Sequence, residues 1–269
     1  MRLERIINTF LILLAIAYSL FPIVVTFLYS LLPNKMISQG KFSEWTINNY
    51  LYILKDPNIL HYIYNSIVVS GISATITSFL GFILAYSIVR KKIPLSGFLE
   101  NLILLLNTVL VLGVLIIVPI FEIIVKVGLF NTLVGLIVVY TSLGFVFSFI
   151  LLSRFISNLS RDYEEAGIVE GMNDFQIMFL IVLPMIRQAF ISVWILQFIG
   201  FWNEFIFALT LTNDSIKRTL TVGITLISGS DIYEIPWGMI MAGVFISILP
   251  LILIVSFLEE YLVKGISGK

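Results

Sequence analysis

Five stretches of this sequence contain no Asp, Glu, Lys or Arg: between Arg5 and Lys35, Asp56 and Arg90, Glu100 and Glu122, Lys126 and Arg154, and Glu234 and Glu259. A hydrocarbon layer about 30 Å thick is crossed by roughly 20 apolar residues in a helix, and each gap is long enough. A sixth stretch, 188–211, is equally apolar but carries Glu204 inside it. None alternates with period two, which disfavours a transmembrane barrel. The expected fold class is an all-α integral membrane protein, one domain over 1–269. Its six transmembrane helices are expected near 6–32, 63–89, 100–121, 128–152, 186–211 and 236–262.

Composition supports the same solvent. The chain is 59% apolar and 12% charged, whereas soluble domains run about 45–50% and about 25%, and an interior of this size cannot hide the surplus. Sixteen basic residues balance sixteen acidic ones without a basic stripe, which argues against a nucleic-acid partner. The absence of cysteine removes disulfides and thiolate metal sites. The apolar run after Arg2 and Arg5 continues past Pro22, beyond the roughly 7–15 residues of a signal-peptide core, so it is expected to be a retained span.

With the N-terminus inside, Arg2, Arg5, Arg90, Lys91, Lys92, Arg154, Arg161, Arg187, Lys264 and Lys269 fall inside. Lys35, Lys41, Lys55, Lys126, Lys217 and Arg218 fall outside, ten against six. The positive-inside bias therefore predicts two cytoplasmic termini. It also predicts outer loops near 33–62 and 212–236 and a large inner loop, 153–185.

That inner loop is too long to be a simple connection and not Gly/Ser-rich. Asp162 with Glu165 three residues on is related to a capping box, and Glu164 and Glu165 suit a first helical turn. Gly171 suits the left-handed position ending that helix, and Asn173 with Gln176 opens the next. Phe175, Met178, Phe179 and Val182 then form an apolar stripe suited to lying along the membrane surface before Pro184. Ala166 and Gly167 leave a small surface beside carboxylates. That surface suits either close approach by a partner or a hairpin that only caps itself.

The segment from Glu165 to Pro184 resembles the cytoplasmic loop of ABC importer permeases, whose pattern is Glu-Ala-Ala, three residues, Gly, nine residues, Ile, one residue, Leu-Pro. Glu165, Ala166, Gly171, Ile181, Leu183 and Pro184 stand at those spacings, with Gly167 in place of the second Ala and Glu170 where many members carry Asp. The resemblance implies an ABC importer type I permease fold. It also implies an ATPase-coupling loop formed by Glu164, Glu165, Ala166, Gly167, Gly171, Leu183 and Pro184. Within that loop Glu165 would pair with charge on the ATPase, Ala166 and Gly167 would lie in close contact, and Gly171 would turn between two helices.

Further motifs resemble the smaller membrane subunit of maltose-transporter-like permeases. These are Asn65-Ser66, Tyr86-Ser87-Ile88-Val89-Arg90, Gly128-Leu129-Phe130-Asn131-Thr132, Gly135-Leu136, Tyr140, Trp202-Asn203-Glu204-Phe205, and the tail from Tyr261, cut short at Gly268-Lys269. The resemblance implies a sugar or oligosaccharide importer of a bacterial-type cytoplasmic membrane. Its partners would be a second permease, an ABC ATPase dimer and an extracytoplasmic sugar-binding protein. Importers of polyamines, phosphonates or glycerol phosphate esters share the inner loop and are the alternative.

Glu204 would lie on the order of 12 Å inside its helix end by helical rise, where a carboxylate must face water or a partner. With Trp202 and Asn203 it either lines a translocation path, offering an aromatic face and hydrogen-bonding groups to a sugar, or bonds a neighbouring span. No Gly-x-x-x-x-Gly-Lys-Ser/Thr occurs, so ATP hydrolysis is assigned to another chain. His61 is the only histidine, and neither an enzyme activity, a metal nor a cofactor is expected.

Overall fold

A backbone in hydrocarbon has no water to satisfy its N–H and C=O groups, so the apolar stretches close their hydrogen bonds internally as helices. The computed structural model describes residues 2–91, 97–98, 101–103, 105, 116–226 and 235–267, and these contain helices and no strand. Most of the predicted third span, 100–121, lies outside the described residues, as do Lys92, Glu234 and the Gly268-Lys269 tail.

In chain order the helices are α1 (Arg2–Ser30), α2 (Asn34–Ser38), α3 (Asn48–Lys55), α4 (Ile59–Lys91), α5 (Ile117–Lys126), α6 (Leu133–Ser157) and α7 (Asp162–Val169). A compound helix follows: α8 (Asp174–Gln176), a π-helical segment (Ile177–Val182) and α9 (Leu183–Met185). The last are α10 (Arg187–Trp202), α11 (Ile206–Leu211), α12 (Leu220–Thr225) and α13 (Trp237–Ser267). Among the described residues, four stretches are long and apolar enough to cross a membrane alone: Arg5–Ser30, Ile59–Lys91, Leu133–Ser157 and Trp237–Phe257. A fifth candidate is the pair Asp174–Met185 and Arg187–Trp202, bent by 80°. The 33 residues of α4 measure about 50 Å at 1.5 Å per residue, longer than a hydrocarbon core of about 30 Å.

Two of the predicted spans differ in outline. The span expected from residue 128 begins at Leu133, because Gly128 (φ +73°) and Asn131 (φ +58°) turn the chain first and Thr132 caps the helix by accepting from the Gly135 N–H at 3.0 Å. The span expected over 186–211 is broken at residues 203–205 into α10 and α11.

The chain divides into two compact units. One comprises residues 1–61 and 220–252. Its centre is Asn49, 6% exposed, whose amide donates to the carbonyls of Ser30 at 2.8 Å and Leu32 at 2.9 Å. These carbonyls lack helical partners at the end of α1. Ser30 Oγ also meets the Tyr50 hydroxyl at 2.6 Å, and Asn34 Oδ1 accepts from the Gly238 N–H at 2.9 Å.

The other unit comprises residues 62–219 and 253–269. Its core joins α4, α6 and α10 to the π-helical segment through Phe82, Ala85, Phe149, Leu152, Ile177, Met178 and Val193. Gln197 of α10 is buried and donates from Nε2 to the Gly144 carbonyl of α6, and to Ser148 Oγ at 2.9 Å. Trp194 donates to Thr75 Oγ1 of α4 at 2.9 Å. Polar groups thus pin the helices at defined heights where apolar contact alone would let them slide.

Candidate functional site

The loop after α6 forms two short helical pieces around a glycine turn. Gly171 has φ +84°, a conformation that costs a residue with a Cβ roughly 1–2 kcal/mol. Asn173 then caps the second piece: its Oδ1 accepts from the Gln176 N–H at 2.9 Å while Gln176 Oε1 accepts from the Asn173 N–H at 2.8 Å. The cap expected at Asp162 is not formed. Arg161 occupies the capping position without a side-chain bond, and the Asp162 carboxylate instead accepts from Ser160 Oγ at 2.8 Å. Asp162, Glu164 and Glu165 all lie in the first turn of α7, where carboxylates meet the positive end of the helix dipole.

The apolar stripe predicted along the second piece is reorganised. Residues 177–182 wind as a π-helix, whose wider turn brings Ile177, Met178 and Val182 into the core and leaves Phe175 and Leu180 exposed. Phe179 is half-buried beside Phe82, ring centroids 6.0 Å apart.

Within α7 only Glu164 and Gly167 are buried. A Cβ at Gly167 would stand 2.7 Å from Ile181 Cδ1 and 3.3 Å from Ile177 Cγ1, so this glycine lets α7 lie against the π-helical segment. Glu165 and Ala166 face outward, flanked by Tyr163, Ile168 and the highly exposed Val169 (87%). Leu183 is half-buried and Pro184 exposed. Of the seven predicted loop residues, the four on α7 divide into an outer face with Glu165 and Ala166 and inner supports at Glu164 and Gly167.

Glu164 reaches Arg90 at the end of α4, Oε1 to Nε at 2.8 Å, with side-chain exposures of 11% and 5%. The Tyr86 hydroxyl, one turn earlier, donates to Oε2 at 3.4 Å. Arg90 Nη2 also donates to the carbonyls of Ile156 at 2.8 Å and Leu159 at 2.7 Å, at the C-terminal end of α6. The adjacent Lys91 pairs with Asp174 at the start of α8. In the sequence Arg90 and Lys91 serve as orientation markers, and Arg90 also closes the family-like motif Tyr86-Ser87-Ile88-Val89-Arg90. Nothing along the chain couples them to carboxylates more than seventy residues away.

The second predicted group lies at the break between α10 and α11. Glu204 Oε1 accepts from the Phe207 N–H at 2.8 Å, and Oε2 accepts from the Ala208 N–H at 3.0 Å and the Tyr140 hydroxyl at 2.7 Å. The carboxylate thus serves the otherwise unpaired donors opening α11. Trp202 is 2% exposed and stacks with Phe198, ring centroids 5.8 Å apart. Asn203 is exposed and donates to the Ile199 carbonyl at 2.9 Å.

Two asparagines hold the segment after α11. Asn65 donates to the carbonyls of Ile216 at 2.7 Å and Arg218 at 2.9 Å. Asn131 Oδ1 accepts from the N–H groups of Asn213 and Asp214, both at 3.0 Å. Among the described residues no cluster of His, Asp or Glu has metal-binding geometry.

Residues 77–268 match the family model described as "Binding-protein-dependent transport system inner membrane component". The chain belongs to this family of inner-membrane transport components. The permease is 31% identical over 96% of its length to a probable ABC transporter permease, YurM of Bacillus subtilis, of which 85% is covered. It is also 31% identical to the trehalose/maltose transport system permease MalG of Thermococcus litoralis, covering 99% of this chain and 96% of that one. Against the diacetylchitobiose uptake system permease NgcG of Streptomyces coelicolor the figure is 30%, covering 83% and 74%. The permease fold matches a chain in the crystal structure of a bacterial ABC transporter that imports alginate, with TM-score 0.79 at 20% identity, covering 97% of this permease and 96% of that chain. The permease is accordingly a multi-pass membrane transport subunit and not itself a catalyst.

Proposed function

We propose that this permease is the membrane-spanning subunit of an ABC importer that moves a sugar or oligosaccharide across the cytoplasmic membrane. ATP is hydrolysed by a separate ATPase dimer, a second permease completes the pathway, and an extracytoplasmic binding protein delivers the sugar. The sugar class rests on relatives described as trehalose/maltose, diacetylchitobiose and trehalose permeases. Six spans over a single permease domain and both termini in the cytoplasm complete the arrangement.

The observation that carries the mechanism is the division of α7 into an outer face with Glu165 and Ala166 and an inner face fixed by Glu164 and Gly167. A short helix held from behind, with a small residue and a carboxylate in front, is suited to docking on another subunit. Glu165 pairs with a cation of the ATPase, Ala166 allows close approach, Gly171 sets the turn, and Leu183 with Pro184 leads the chain into α10. Gly167 contributes from the inner side, by keeping α7 close to its support. At the break, Glu204 holds α11 through the hydrogen bonds to Phe207, Ala208 and Tyr140. Its contribution to the translocation path is to shape the wall, and Asn203 is the member of the trio open to the path.

Reconstitution of the permease with its ATPase, partner permease and binding protein, followed by a screen of sugars for stimulated ATP hydrolysis, tests this reading. Stimulation by a disaccharide or oligosaccharide is expected. A flat response to sugars with a response to a glycerol phosphate ester, polyamine or phosphonate would replace the substrate class. Glu165→Lys tests the coupling face, and full substrate-stimulated hydrolysis in that variant would overturn it.

A further inference from the structure

One guanidinium at the end of α4 joins three helices. Arg90 approaches Glu164 in the first turn of α7 through Nε at 2.8 Å and donates through Nη2 to the Ile156 and Leu159 carbonyls at 2.8 and 2.7 Å. Both carbonyls lie where α6 ends, that of Ile156 also accepting from the Leu159 N–H at 3.2 Å, and a basic side chain is favourable at a helix C-terminus. Lys91 adds an ion pair to Asp174, so the last two residues of α4 hold both pieces of the loop. Only Glu164 and Gly167 of α7 are buried. The Gly167 side of the attachment is apolar packing on Ile177 and Ile181, which tolerates shear. The Glu164 side does not, because separating it from Arg90 would leave a buried charge uncompensated.

We propose that Arg90 is the positioning residue through which displacement of α7 reaches the second span, α4, and the end of α6. The inference rests on the reading of α7 as the coupling helix and adds the route by which its movement enters the bundle. When the ATPase shifts α7, Glu164 carries Arg90 with it, and Tyr86 and Arg90 lie on one continuous helix that extends to Ile59. The coupling helix, the end of α6 and α4 therefore move as one body.

The chain lacks cysteine, so spin labels can be placed singly at Val169 on α7 and Tyr64 on α4, both exposed. In the assembled importer the label separation is expected to stay single and unchanged between the nucleotide-free and ATP-bound states. In Arg90→Gln and Glu164→Gln it is expected to broaden and to differ between those states. Stimulation of ATP hydrolysis by the binding protein loaded with the screened sugar falls about tenfold, the size of a typical coupling between sites. Arg90→Lys, which keeps the charge and loses the three-way fork, recovers part of that stimulation. If Arg90→Gln fails to assemble, Glu164→Gln and Arg90→Lys decide.

A single, unchanged separation with full stimulation in Glu164→Gln overturns the proposal. The same result in that variant together with loss of coupling in Glu165→Lys refutes only the role of Arg90. Full coupling in Glu165→Lys refutes the coupling-helix reading itself.

Discussion

The two ends of α4 are fastened by different chemistry. Asn65, near its start, grips the carbonyls of Ile216 and Arg218, whereas Arg90, about 37 Å further along the helix, grips a carboxylate and two carbonyls. An asparagine amide holds a loop in shape without charge, and its bonds can be exchanged for water at modest cost. A buried ion pair has no such exchange: each partner, once desolvated, depends on the other. The neutral end defines the form of a connection, and the charged end makes helices from distant parts of the chain move together.

The contrast is broken most severely at the charged end. Glu164→Ala leaves Arg90 buried without its carboxylate and is expected to destabilise the permease by about 3–5 kcal/mol, read as lowered thermal stability in detergent and reduced yield. Replacing Asn65 by Ala leaves two carbonyls without their donor and is expected to cost about 1–3 kcal/mol. Limited proteolysis would detect it as faster cleavage within 212–219, with little change in the loop after α6.

Smaller changes sharpen the comparison. Gly171→Ala imposes left-handed backbone on a residue with a Cβ, expected to cost about 1–2 kcal/mol and to appear as faster hydrogen exchange in α7. Lys91→Ala removes a pair whose side chains are 37% and 70% exposed. It should change stability by about 1 kcal/mol or less, and the effect of the pair should shrink with added salt. A loss at Lys91 as large as that at Glu164 would show that exposure does not divide the two ion pairs.

Much of this architecture is legible in the sequence. The charge-free stretches locate α1, α4, α6 and α13 because hydrocarbon admits no unpaired backbone, and the left-handed Gly171 and the Asn173–Gln176 cap follow from local rules. The expected Asp162 cap is replaced because the chain enters α7 through a different residue, Arg161. The stripe on 175–182 shifts because the segment winds as a π-helix, which a count in steps of three and four residues does not anticipate.

The break at 203–205 is half legible. Glu204 announces a polar need within an apolar run, but Tyr140, which meets it at 2.7 Å, lies on another helix. Gly167 was expected to serve an outside partner because small residues invite close approach. Only the fold determines that the approaching group is Ile181, from the chain's own π-helical segment.

By itself, the sequence determined the solvent, the helical class, most of the spans and the location of an acidic loop, since hydrophobicity, capping and backbone freedom act within a few residues of one another. Tertiary structure alone decided which acid of that loop faces inward, which cation receives it, and that one guanidinium joins the ends of three helices. Such pairings depend on which helix ends meet in space, and the identity of a residue carries no record of its distant neighbour.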